Sequence, residues 1–500
     1  MTTARRVLSS TLIQIVGKVG TAALGLVSIK ILAQYLSVSE FGQYTTVYQY
    51  LAFFGIIADL GLFTIAIREM SKDLKQVPYI LGNVLTIRLV LVILSVLLSM
   101  GVVVLVPQYR GSWIPWGVVV AGGSVVLALL NGTLTSVLQT YLKMGIATLA
   151  TVVGKAVSVG FMLFVVWVWY AKKELTDPTI SNAFYWLIAA SIAGNLVMLI
   201  LTYFETKRFT EIKLRFDFSF WKKLLWTTLP YGIALFLNTV YLKVDIIILS
   251  LLKGDTEVGI YGVAAKVLEL TMIVPQFFLN SLLPVLARYL KEQNQKIHAL
   301  VQHSFDFLFA TALPIVGGVY VLAYPFVFAF ADPKFLSRLN EGYYGSDIAL
   351  QIIIFTLIFT FLANLFGYLL VALNQQTKLL WINLACVVCN VVLNFIFIPY
   401  WGFRAAAATT ILSEIVMLIL SYLYVRCYFK LQLRFKNTFK ITLAALLMTL
   451  VVYWLQPLTY RWLENWNLLL LVPLGAVVYG GLLIVLKVIT RELWQEVRGE

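Results

Sequence analysis

Apolar stretches long enough to cross a bilayer follow one another from end to end of this 500-residue chain, and no segment between them is long enough to fold as a separate soluble domain. Bilayer hydrocarbon, about 30 Å thick, offers backbone N–H and C=O groups no water, so each stretch must close its own hydrogen bonds as an α-helix. With 61% hydrophobic and only 12% charged residues and a mean hydropathy of +0.90, the chain reads as an all-α polytopic membrane protein. Fourteen spans are expected, at 8–35, 41–67, 79–106, 114–141, 145–170, 181–205, 223–251, 256–287, 298–330, 348–373, 378–399, 402–428, 437–456 and 466–488. Arg5 and Arg6 precede the first span, but no small-residue cleavage site follows a short apolar core, so that span is expected to stay on the protein.

Lys and Arg collect at cytoplasmic span ends, which orients the chain. With these spans, twenty-four of the 38 Lys and Arg residues fall on one side and eight on the other. Both termini are therefore expected in the cytoplasm, with the chain in a bacterial-type plasma membrane. The formal charge of +15 is spread over many short membrane-edge loops, which suits anionic lipids and argues against a nucleic-acid partner. Cys386 and Cys389 form a C-x-x-C inside an apolar span with no second pair, so no zinc site is expected.

Glu40-Phe41-Gly42-Gln43-Tyr44 opens the second span and Glu257-Val258-Gly259-Ile260-Tyr261 the eighth, an offset of 217 residues. Six spans separate the copies, so the halves insert in the same orientation, as parallel repeats with a substrate path between them. The organisation expected is a first lobe at 1–205, a linker at 206–222, a second lobe at 223–430 and an additional helix pair with a tail at 431–500. In the linker, Ile212, Leu214, Phe216 and Phe218 alternate with Lys213, Arg215 and Asp217, a pattern suited to lying on the membrane surface. Pro230, Pro275 and Pro314 mark places where spans can kink.

Lys18, Arg88, Lys155 and Lys266 interrupt spans near mid-depth, where a lipid-facing cation costs roughly 2.5 to 3.5 kcal/mol, so they are expected to face protein or water. In the first half Lys18, Arg88 and Lys155 stand against a single acid, Asp59, at similar depth by helix rise; in the second, Lys266 stands against Glu269, Asp306 and Glu414. Two readings follow. Either the first half holds an anion while the acids balance charge or carry a coupling ion, or the charges pair with one another, as Lys266 and Glu269 are spaced to do.

Ala33-Gln34-Tyr35-Leu36-Ser37 running into Glu40-Phe41-Gly42-Gln43-Tyr44, then Asp59-Leu60-Gly61-Leu62 and Arg68-Glu69, and later Val371-Ala372-Leu373-Asn374 and Ile398-Pro399-Tyr400-Trp401-Gly402-Phe403-Arg404-Ala405-Ala406, carry a resemblance over essentially the whole chain. It is to the multidrug/oligosaccharidyl-lipid/polysaccharide (MOP) exporter superfamily, in its polysaccharide transporter branch of O-antigen, Wzx-type flippases. The resemblance implies an alternating-access transporter moving a polyprenyl-diphosphate-linked oligosaccharide from the cytoplasmic to the outer leaflet, in concert with glycan polymerase machinery. Lys18, Arg88, Lys155 and Lys266 are the candidate diphosphate contacts.

Lys18 stands where the related lipid II flippases carry a functional arginine, and Lys266 with Glu269 resembles their Arg-x-x-Glu. A second arginine in their first span and one late in their second have no counterpart here, which argues against lipid II as the substrate. Some members bind sodium, and Asp245, Asn390, Asn394, Thr409 and Thr410 resemble that site, with Asn394 in place of an acid; coupling to Na+ or H+ is the one cofactor role expected. Two other classes fit less well. A drug-cation exporter of the same superfamily calls for an acidic or apolar cavity, and a membrane glycan polymerase or ligase for a large outward loop with reactive residues. Here the longest outward loop runs only from about Asp332 to Asp347, and no nucleophile with its base, metal cluster or phosphate-cradling loop is seen, so a transporter and not an enzyme is expected.

Overall fold

The computed structural model describes residues 3–170 and 180–488, without the side chains of 3–12, 169, 170, 180 and 181. Lys172, Lys173, Arg491 and Arg498, and the side chains of Arg5 and Arg6, which entered the charge asymmetry, lie outside the described residues. Eighteen α-helices follow in order: α1 (Thr3–Tyr35), α2 (Val38–Asp59), α3 (Leu62–Lys72), α4 (Val77–Leu105), α5 (Ile114–Thr140), α6 (Met144–Val165), α7 (Ile180–Lys207), α8 (Phe218–Lys253), α9 (Asp255–Thr271), α10 (Ile273–Lys291), α11 (Lys296–Val321), α12 (Ala323–Phe330), α13 (Ser346–Ile353), α14 (Thr356–Ala372), α15 (Gln376–Trp401), α16 (Phe403–Tyr428), α17 (Lys436–Leu463) and α18 (Leu468–Val485). Among the described residues the β-structure is one isolated bridge, Arg338 to Tyr343.

Among the described residues thirteen segments are long and apolar enough to cross a membrane, and the last, Lys436–Val485, contains both α17 and α18. These two fold back on each other at the 3-10 turn Glu464–Asn467. Ile441 shares a core cluster with Leu483, while Val452 shares another with Leu468, as an antiparallel hairpin requires. Fourteen crossing helices result, as the hydropathy reading expects.

Four spans read as continuous are broken. The second stops at Asp59 because Leu60 (φ 43°) and Gly61 (φ 75°) take left-handed backbone conformations. The chain then restarts as α3, whose Leu62, Ile65, Ala66 and Met70 form one buried face at helical spacing while Arg68 and Lys72 stay exposed. The eighth breaks at Met272, three residues before Pro275, whose missing N–H leaves the Thr271 carbonyl without its helical donor. The ninth breaks at Leu322 for the same reason, ahead of Pro325, and the tenth at Ile354–Phe355. Pro230 and Pro314 are carried inside α8 and α11.

The motif residues fall on helix boundaries. Ser37 Oγ accepts the Glu40 N–H (3.2 Å) while the Glu40 carboxylate accepts the Ser37 N–H (2.7 Å), a capping box that starts α2. Asn374 (φ 60°) ends α14, and Gly402 (φ 54°) makes the turn between α15 and α16.

By packing, the chain forms two compact units, Met1–Gly259 and Ile260–Glu500. The first includes α8, which packs on α2, α3 and α4. A Cβ at Gly61 would run into the Tyr231 ring and one at Gly232 into the Leu60 backbone, so the α2–α3 break seats against α8. The two glycines of the repeat motif also meet in this unit: a Cβ at Gly42 would collide with the Asp255 and Gly259 backbone, and one at Gly259 with the Val38 carbonyl. In the second unit α14 and α15 pack on α16, and α11 on α14 and α17.

Candidate functional site

Arg88, on α4, is fully buried. Its Nη2 bonds Asp59 at the end of α2, and its Nη1 donates to the Leu129 carbonyl (3.1 Å) and to Thr133 Oγ1 (3.0 Å) on α5. Asp59 also accepts the Gly61 N–H (3.2 Å), so one carboxylate both closes the left-handed turn and neutralises the guanidinium. Buried charge persists only when paired and hydrogen-bonded in this way. Arg88 Nε has no acceptor among the described residues. Thr133 carries no signal in the sequence that marks it for this role.

Lys18 is exposed on α1 and Lys155 half-buried on α6. A Cβ at Gly145 would touch Ile13 and one at Gly17 would run into Thr148, so α1 and α6 run parallel and Lys155 lies about a turn and a half, ~8 Å, beyond Lys18. Gly154 and Gly194 approach backbone to backbone, which sets α6 against α7, and Asn195 Nδ2 donates to Ser124 Oγ (2.8 Å), which sets α7 against α5. Carried through these registers, the Arg88 anchor at Leu129 and Thr133 lies about another turn, ~5 Å, before Lys18. The three cations are thus stepped by about one and one and a half turns along these helices.

In the second unit the same residue types are internally matched. Lys266 Nζ bonds Glu269 (2.7 Å) one turn along α9, with both side chains partly exposed. Asp306, buried on α11, accepts from Gln302 (2.9 Å) and from Asn437 (2.8 Å), and Gln302 also bonds both backbone groups of Arg434, so this acid fastens the start of α17 to α11. Glu414 is buried on α16 beside Ser413.

Of the residues resembling a cation site, Asn390, Asn394 and Thr409 come together: Asn394 Nδ2 donates to Asn390 Oδ1 (2.8 Å), Thr409 Oγ1 to Asn394 Oδ1 (2.5 Å), and Asn390 Nδ2 to Ser413 Oγ (3.2 Å). Thr410 turns instead to the Ala406 carbonyl (2.9 Å). Asp245 is buried on α8, in the first unit. Among the described residues no cluster of three His, Cys, Asp or Glu side chains is placed to hold a metal ion.

Known proteins place this fold. The family described as polysaccharide biosynthesis protein matches residues 7–290, and the MatE family matches residues 230–396. A Haloferax volcanii protein described as the probable low-salt glycan biosynthesis flippase Agl15 is 22% identical over 442 residues, covering 86% of each chain. Among solved structures, the lipid II flippase MurJ in an inward closed conformation superposes with a TM-score of 0.74 at 15% identity, covering 94% of this chain and 98% of its own. An inward-facing multidrug resistance MATE transporter of the MOP superfamily superposes with a TM-score of 0.66 at 14% identity, covering 81% of this chain and 94% of its own. The polysaccharide match covers more than half of the chain, and the whole helical arrangement is that of MOP transporters. The chain belongs to the polysaccharide biosynthesis protein family, is a multi-pass membrane protein and has the fold of the MOP-superfamily transporters.

Proposed function

We propose that this protein carries a polyprenyl-diphosphate-linked oligosaccharide from the cytoplasmic to the outer leaflet by alternating access, delivering it to glycan polymerase machinery for cell-surface polysaccharide. The observation that carries the reading is the stepped set of cations at Arg88, Lys18 and Lys155. A diphosphate cannot cross hydrocarbon bare, and away from bulk water its charge-assisted hydrogen bonds to ammonium groups are strong. Lys18, exposed at mid-span, must border water or ligand, because lipid there would cost roughly 2.5 to 3.5 kcal/mol. Lys18 and Lys155 are the diphosphate contacts in this reading, Arg88 the buried anchor beneath them, and Lys266 a second-unit contact biased by Glu269. The flippase description of the Haloferax volcanii relative agrees with it. The amides of Asn390 and Asn394 satisfy each other and Thr409, so transport is expected to proceed without a sodium gradient.

Mass spectrometry of lipids that co-purify with the protein tests the substrate class. A polyprenyl-diphosphate glycan that is retained by the wild type and lost from a Lys18→Ala/Lys155→Ala variant is expected. Its absence from the wild type, under conditions that retain other lipids, would contradict the reading.

A further inference from the structure

An apolar groove of about 430 Å3 opens in the first unit between α4, α5 and α7, closed on one side by the extended segment before α8. Its lining is wholly aliphatic and aromatic and includes Leu85, Leu89, Leu130, Ile200 and Leu214. From Leu214, which lies level with Gly82, it runs about seven residues along α4 to Leu89, ~10 Å.

The mouth is built rather than trailing. The Arg215 N–H donates to the Gly82 carbonyl (3.3 Å), the Asp217 N–H to Asn83 Oδ1 (2.9 Å), and the Tyr79 hydroxyl to the Asp217 carboxylate (2.5 Å). A Cβ at Gly82 would collide with the Lys213 carbonyl, so the segment needs glycine there to lie this close. Between residues 205 and 223, six cations (Lys207, Arg208, Lys213, Arg215, Lys222 and Lys223) stand against Glu205, Glu211 and Asp217. Glu205 is paired with Arg208 (3.0 Å) and Glu211 with Lys213, while the Arg215 guanidinium lies over the Tyr79 ring (5.9 Å).

We propose that this groove binds one anionic phospholipid, with an acyl chain along Leu89, Leu130 and Ile200 and the phosphate among Lys207, Lys213 and Arg215. The wholly apolar lining, ~10 Å long, fits the upper part of an acyl chain, and the excess of cations at the mouth selects an anionic headgroup over a zwitterionic one. The inference stands apart from the flippase reading and survives its failure.

The full-length protein, reconstituted in nanodiscs of equal phosphatidylglycerol and phosphatidylcholine and then extracted in detergent, is examined by native mass spectrometry. One phosphatidylglycerol per chain, favoured roughly tenfold or more, is expected. Ile200→Trp, at a partly exposed position that tolerates bulk, should abolish retention, and Leu89→Phe serves if that variant does not fold. Lys207→Glu with Lys213→Glu should erase the preference while phosphatidylcholine is still retained. Equal retention of the two lipids by the wild type, retention unchanged in both groove variants, or displacement of phosphatidylglycerol by an equimolar polyprenyl phosphate would overturn the proposal.

Discussion

In the first unit Arg88 is sealed against Asp59, while Lys18 and Lys155 stand about a turn and a half apart on α1 and α6, exposed and half-buried. In the second, Lys266 bonds Glu269, Asp306 is held by two amides, and Asn390, Asn394 and Thr409 bond one another. The first unit sets its mid-depth acid against its most buried cation and carries two further mid-span lysines; the second sets an acid one turn from its mid-span lysine and holds Asp306 and the asparagines in amide and hydroxyl networks. The proposed carriage of an anion draws on the first arrangement.

The contrast can be broken at graded cost. Arg88→Ala, which leaves the half-buried Asp59 without its counter-charge, should destabilise the protein by up to roughly 3 kcal/mol, whereas Arg88→Met with Asp59→Leu should recover most of that. Thermal melting in detergent checks both, and equal melting of the single and double variants would deny that the pair is sealed. Asn394→Leu removes the donor to Asn390 Oδ1 and one of the two acceptors of the Thr409 hydroxyl and should cost about 1 to 3 kcal/mol. Sodium-stabilised melting of the wild type would show instead that those amides yield to an ion. Lys266→Ala removes a partly exposed pair and should change stability by less than about 1 kcal/mol.

The smallest effect concerns the linker. The Tyr79 hydroxyl, and then the Phe220 and Ser219 N–H groups, hold the Asp217 carboxyl below its usual range. A depressed folded value means that the stabilisation is present above the ordinary carboxylate range, about pH 4, and is lost as pH falls through the lower folded value. The melting gap between wild type and Asp217→Asn should therefore be present at neutral pH and close on strong acidification; a gap constant with pH would show that the ionised carboxylate is not what anchors the segment.

Helix number and extent were legible because hydropathy reports length directly: the expected spans at 114–141 and 402–428 became α5 and α16 within a residue at each end. The break after Asp59 was not, since hydropathy is blind to φ, although Asp59-Leu60-Gly61 carries a glycine and an aspartate of the kind that close turns. Depth could be read from sequence for Lys18, Arg88 and Lys155, but lateral neighbours could not. The pairing of Arg88 with Asp59 needed the helices' azimuths, and the steps that spread the three cations beyond a single level needed their registers. The groove on α4, α5 and α7 is made by residues far apart in the chain, each an ordinary leucine or isoleucine on its own helix.

In the proposed function Lys18 touches the diphosphate. Flipping of a polyprenyl-diphosphate glycan in reconstituted vesicles, compared for wild type, Lys18→Ala and Lys18→Arg at matched melting temperature, reads that contact. Lys18→Ala should lose flipping by at least roughly tenfold, the loss of one charge-assisted hydrogen bond, while Lys18→Arg keeps much of it. A Lys18→Ala protein that flips at the wild-type rate would show that Lys18 does not hold the diphosphate.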